Sequence, residues 1–196
     1  MIDLTALKLT EPFDVSLVEF GGVLTPALGG PRQRISRIGT RFAFGVNTPN
    51  MDMAEEGQRW SVRLARAKLE GGLIAIPEGD RAISNVGNPV VATAAAGGSI
   101  IQIKDARPGL ILPEGKWLSM IHDGRRFAHQ ITEDVLVAEN GTVQLPVFPM
   151  LRAVLTVGDV AEIAVPKAQG TIEGEFGWSP SLAGYTSFSF MLAEDE

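Results

Sequence analysis

The sequence predicts a mainly β fold, sandwich- or barrel-like, with one helix and a small barrel-like β-module inserted into an outer β domain. Three observations carry that prediction. Residues 98–152 read as short apolar runs cut by P-G, P-E-G, D-G and N-G turns, the punctuation of closely spaced strands. Between Asn50 and Gly72 lies the one stretch with a convincing helical apolar period. Near the C-terminus Phe188, Phe190 and Leu192 alternate with Ser189 and Met191, the two-residue period of a strand buried on one face.

Along the chain, residues 15–24 begin as a strand and end at a Gly pair, and a turn-rich loop, TPALGGPRQ, follows. From Arg34 to Val46 one strand is expected, with Ile38, Thr40, Phe42, Phe44 and Val46 on one face and Arg37, Arg41 and Ala43 on the other. The helix has Asn50 or Asp52 as cap and Glu55 and Glu56 in the first turn, where the dipole favours anions. Met53, Gly57, Trp60, Leu64 and Ala67 fall on one stripe, and Gly71–Gly72 stop the helix. Arg59, Arg63, Arg66 and Lys68 lie mostly off that stripe, as solvated residues or facing a partner.

A strand, LIAIP, comes next, and residues 81–98 read as a low-charge linker into the module. Strands are expected near 99–104, 116–121, 126–132 and 142–147, with weaker ones near 134–138 and 160–165. The D-G at 123–124 and the N-G at 140–141 each suggest a tight hairpin. The resulting division is an outer domain of residues 1–88 plus 167–196, interrupted by a module of residues 89–166. Such an excursion is cheap to close, because closure entropy grows only with the logarithm of length.

Composition narrows the function. The chain has 196 residues, 45% of them apolar and 20% charged, which suits a packed core. A net charge of −6 speaks against a general nucleic-acid binder. Without cysteine, thiolate metal sites, disulfides and cysteine nucleophiles are excluded. The N-terminus lacks the pattern of a signal peptide and no run is long enough to span a bilayer, so a soluble product made in the cytoplasm is expected.

Catalytic constellations are scarce. His122 and His129 read as a turn residue and a strand residue rather than metal ligands. Ser119, His129 and Asp123 can be named as a triad, but no nucleophile elbow exposes the serine. The acids cluster at a helix start (Asp52–Glu56), a turn (Glu133–Asp134) and a tail (Glu194–Glu196), where solvation accounts for them better than a glycosidase pair. The glycine pairs complete no phosphate loop. No catalytic residue, cofactor or metal is assigned, and an enzyme is not expected.

The sharpest charge feature is Arg32, Arg34, Arg37 and Arg41. It reads either as a solvated face that protects a strand edge or as a contact to acids of a neighbour. On the second reading the interface candidates are Arg34, Arg37 and Arg41 against Glu194, Asp195 and Glu196. Trp60, Trp117 and Trp178 have apolar neighbours and are read as core, with sugar platforms as the alternative.

Taken in order, these pieces resemble phage and prophage tail-tip proteins of the distal-tail type. The resemblance rests on Arg41 followed by Phe42 and Phe44; on the helix with Trp60 and Leu64; and on the strand ending in Gly79–Asp80. It rests further on the insert marks Gly98–Ser99–Ile100, Leu112–Trp117, Arg126–Phe127 and Leu145–Arg152, and on Phe176–Gly177–Trp178 with Phe188–Ser189–Phe190 as a closing strand pair. Lys116 departs from it, standing where an acid is expected. The resemblance implies a virion structural protein that forms a ring, with six copies about the tail axis. Its implied partners are the tail tube protein on one side and hub or fibre proteins on the other, with no nucleic acid and no membrane insertion. A carbohydrate-binding module of a phage tail and a cell-wall hydrolase are the competing readings.

Overall fold

The computed structural model describes residues 1–27, 29–35 and 37–195. Among these residues the fold is mainly β, with a single α-helix and a closed six-stranded barrel, as the sequence predicts.

The chain opens with β1 (Ile2–Asp3) and β2 (Thr10–Val18), then a small hairpin of β3 (Gly22–Leu24) and β4 (Gln33–Ile35). β5 (Arg41–Asn47) returns antiparallel to β2. The single strand expected from Arg34 to Val46 is therefore two. Gly39, at φ 124°, breaks the path, and Ile38 is exposed while Phe42, Phe44 and Val46 are buried.

After β6 (Met51–Asp52), Asp52 Oδ1 accepts from the amides of Ala54 and Glu55 at 2.8 and 3.2 Å, satisfying donors that a helix start leaves orphaned. One wide turn, Met53–Gly57, leads into α1 (Gln58–Glu70). Trp60, Leu64 and Ala67 bury the inner stripe, and Gly71 ends the helix at φ 78°, a conformation that favours glycine.

β7 (Gly72–Ala75) passes through a short helical turn to the barrel strands β8 (Gly87–Val91), β9 (Ile100–Ala106), β11 (Trp117–His122), β12 (Arg125–Ile131), β14 (Val143–Phe148) and β15 (Val160–Glu162). A two-stranded ribbon on the barrel pairs β10 (Ile111–Leu112) with β13 (Val135–Leu136). The stretch expected as linker thus contains a barrel strand, β8, which pairs with both β9 and β15. Low charge and the Gly87–Asn88–Pro89 run concealed it, since such a run looks like a neutral connection. The D-G turn closes the β11–β12 hairpin with Asp123 and Gly124 both at positive φ. The N-G turn is tight as well: the Gly141 amide donates to the Ala138 carbonyl at 2.9 Å and the Ala138 amide to the Thr142 carbonyl at 3.0 Å, with Gly141 at φ 75°, although the ladders of β13 and β14 lie with β10 and β9. Inward residues such as Ile101, Ile103, Leu118, Met120 and Leu145 alternate along their strands and fill the barrel.

The chain leaves the barrel into β16 (Lys167–Glu173), then β17 (Tyr185–Thr186), which pairs with β6, and β18 (Ser189–Glu194). The main sheet runs β1-β7-β16-β18-β5-β2. Phe44, Leu192 and Ile172 stand side by side in register across three strands, on the face that α1 covers. Close strand approach makes Gly170 obligatory, since a Cβ there would lie 1.9 Å from the Ala193 carbonyl oxygen. The expected closing pair is corrected: Phe176–Trp178 is not a strand, and β18 pairs instead with β16 and β5.

Ala75 and Lys167 are register partners, so the barrel sits where a hairpin turn would otherwise join β7 to β16. None of the described helices is long and apolar enough to cross a membrane.

Candidate functional site

The polar groups that sequence reasoning set aside or assigned elsewhere converge on the junction between sheet and barrel. β12 pairs with β14 only at Gln130 and Ile131, which leaves the amides of its first half without a ladder on that side. Side chains from the sheet take the place of a strand. Gln169 Oε1 accepts from the Arg126 amide at 3.0 Å, and Glu194 Oε1 accepts from the Ala128 amide at 2.7 Å. Glu194 Oε2 accepts from the Phe42 amide at 2.9 Å, so one carboxylate ties β18 to β5 and to the barrel.

Glu194 is 2% exposed, and Arg152 Nη2 lies 2.9 Å from its Oε1 as a buried ion pair. Arg152 Nη1 also donates to the Asp195 carbonyl at 3.0 Å, and Asp195 Oδ1 accepts from the Thr171 hydroxyl. Burial pushes the Glu194 carboxyl above its ordinary value, opposed by Arg152 and by the Ala128 and Phe42 amides. The tail acids are therefore corrected as a solvated cluster: Glu194 is inside the molecule, held by three donors, and is not presented to a neighbour. Glu196 lies outside the described residues.

A second buried pair lies along the same junction. Lys116 Nζ pairs with Glu78 Oε2, both side chains being almost wholly inaccessible, and Glu78 Oε1 accepts from the Trp117 amide at 3.2 Å. Lys116, the departure from the expected pattern, is thus the barrel's partner for an acid contributed by the turn after β7. Between the two pairs, Trp117 meets Phe42 edge-on at 4.7 Å and lies 5.7 Å from Phe44, while Phe148 lies 6.1 Å from Phe42.

The serine and histidines have structural partners. Ser119 Oγ donates to the Lys167 carbonyl at 2.6 Å and accepts from its amide at 2.7 Å. His129 lies one register position away, opposite Leu118, so it faces the barrel interior while Ser119 faces the sheet. Its Nδ1 donates to the Pro149 carbonyl at 2.8 Å, and burial pushes it down to about 4, which keeps the ring neutral at pH 7. His122 Nδ1 lies 2.8 Å from Asp159, joining the β11–β12 turn to the turn before β15. Among the described residues no group of three or more His, Asp or Glu could hold a metal ion.

The arginine stripe is divided. Arg34 on β4 pairs with Glu19 at 3.1 Å on the surface, and Arg37 is exposed in the connection to β5. Arg41 is half-buried with its guanidinium 4.9 Å from the Phe20 ring. Trp60 and Trp117 are core, whereas Trp178 is exposed beside the helix. A groove of about 460 Å³ between the sheet edge and the barrel is lined by Leu17, Arg34, Phe148 and Met150 among others. Another, of about 290 Å³, is lined almost wholly by apolar atoms of Val62, Ala65, Leu69 and Trp178.

Sequence reasoning gave neither Glu78 nor Arg152 a role. Arg152 is a lone charge in an apolar stretch, FPMLRAVL, and that isolation was the available signal, whereas Glu78 stands in a turn beside Asp80 and carried none. No protein-family model matches the chain, and no curated protein matches it with significance.

Proposed function

We propose that the chain is a structural component of a phage tail tip, of the distal-tail type. Copies form a ring about the tail axis, six in number, between the tail tube protein and the hub or fibre proteins. The protein resides in the virion and acts as a scaffold rather than an enzyme. The observation that carries the reading is the sheet–barrel junction. The groups with chemical potential are committed to joining two β-units into one rigid block: Glu194 to two amides and Arg152, Lys116 to Glu78, Ser119 to the Lys167 backbone. A ring part that transmits load between layers of a tail needs such stiffness, and a ring also needs two different faces that fit each other.

The glycan-binding alternative has exposed Trp178 in its favour, but the recess beside it is apolar and offers little to sugar hydroxyls. Light scattering with electron microscopy of the purified protein tests the ring directly. Annular particles are expected. A monomer at every concentration would overturn the reading.

A further inference from the structure

α1 carries two apolar faces. At 100° per residue, Val62, Ala65 and Leu69 lie opposite the buried stripe of Trp60, Leu64 and Ala67. Val62 is 60% exposed and Leu69 86%, on the side of a helix that is ordinarily polar. Arg59, Arg63 and Arg66, spaced at four and three, form a basic row between the two faces. Arg63 also covers the Trp60 ring at 4.9 Å, and Arg66 pairs with Glu70 at 2.9 Å.

The barrel carries the complement. In the β10–β13 ribbon Ile111 and Leu136 are cross-strand partners, 60% and 64% exposed, while the neighbouring Leu112 is buried in the barrel. Exposed acids surround this apolar pair: Glu133 and Asp134 before β13, Glu139 after it, and Glu114 after β10, whose amide bonds Asp134 Oδ1 at 2.7 Å. Arg107, in the turn before β10, and Arg81, whose guanidinium lies beside Gly115, are basic exceptions. A two-stranded ribbon is marginal on its own and gains from a covering surface. Both apolar faces remain exposed within one chain, so neither covers the other intramolecularly.

The geometry points to a head-to-tail contact between copies of this chain, in which the acid-rimmed β10–β13 ribbon of one barrel lies on the basic-flanked outer face of α1 of the next. Ile111 and Leu136 cover Val62, Ala65 and Leu69, and Glu133 and Glu139 meet Arg59 and Arg63. Two unlike patches on one chain make a heterologous contact, which closes into a ring or propagates. The inference rests on the ring reading only in taking a second copy as the occupant.

Charge swapping tests it, read by sedimentation of the full chain at low ionic strength. One variant carries Glu133→Arg with Glu139→Arg, the other Arg59→Glu with Arg63→Glu. All four positions are exposed, so thermal melts are expected to stay near the wild type, the Arg63→Glu variant losing only the contact with the Trp60 ring. Each variant alone should associate at least about tenfold more weakly than the wild type, because like charges then face each other. An equimolar mixture should regain association, since the ribbon of each variant now matches the helix of the other. Leu69→Asp, at a position too exposed to harm the fold, should weaken association in a way no mixing repairs. If both charge variants associate as the wild type does, or the mixture stays dissociated, this contact is overturned while a ring built on other faces survives. A wild type that remains monomeric overturns both.

Discussion

Replacing Glu194 by alanine removes the acceptor that three groups share. Arg152, whose side chain is 4% exposed, loses its counter-ion, and the Phe42 and Ala128 amides lose their acceptor. Removing one partner of a buried ion pair costs about 3–5 kcal/mol, and each buried amide left without an acceptor costs about 1–3 kcal/mol. These losses overlap in one network and do not add, so an effect of about 4 kcal/mol is expected. For a chain of this length that lowers the melting temperature by roughly 10 °C. Urea unfolding followed by tryptophan fluorescence suits the measurement, because buried Trp117 reports on the junction itself. A solvated acid near the chain end would change stability by no more than about 0.5 kcal/mol. A loss below about 1 kcal/mol for Glu194→Ala would therefore refute the account of the junction. Glu194→Met combined with Arg152→Met discriminates further. It removes both charges and replaces them with apolar volume, so it should recover part of the loss, the remainder belonging to the two amides.

Three further outcomes are expected. Lys116→Met leaves Glu78 charged and buried without its partner, which should cost about 3 kcal/mol or more in urea unfolding. The His129 ring should stay neutral on acidification until about pH 4, read from its proton NMR signals. With a folded value of about 4 against an ordinary 6.5, the unfolded chain binds the extra proton first, so stability falls as pH drops from 6.5 towards 4, by about 3 kcal/mol. His129→Gln should flatten that slope. Asp52→Ala removes the acceptor for the Ala54 and Glu55 amides at the helix start and should cost about 1 kcal/mol, measured by thermal unfolding.

The fold was legible where local period and turn chemistry decide the outcome. Phe188, Phe190 and Leu192 alternate because β18 has one buried face, and D-G at 123–124 closes a hairpin because both residues tolerate positive φ. The break at Gly39 was not legible, since Ile38 keeps the alternation in register while the chain turns away. Nor was β8, whose place in the barrel depends on pairing with β15 far along the chain as well as with the adjacent β9. The junction was the least legible part. Glu194 sits among Asp195 and Glu196 in sequence, and composition there says solvent. Its burial is decided by Arg152 and Ala128, residues supplied by another element of the fold, and no local pattern encodes that meeting.

That distance in sequence bears on how independent the barrel is. Ala75 and Lys167 pair directly, so the main sheet could close β7 to β16 with a short turn and lose no rung of its ladder. Topology alone therefore presents the barrel as a dispensable insertion. Energetics opposes that description. Without the barrel, Phe42 and Phe44 lose the Trp117 ring, and Glu194 loses Arg152 and the Ala128 amide while still facing the sheet. The barrel in turn would expose Trp117 and leave Arg152 without Glu194. The buried Glu194–Arg152 pair spans the two units, and an unpaired buried charge costs more than an apolar surface of equal size. The two units are consequently expected to unfold in one transition, and a chain shortened between Ala75 and Lys167 should fail to reach the stability of the sheet it retains.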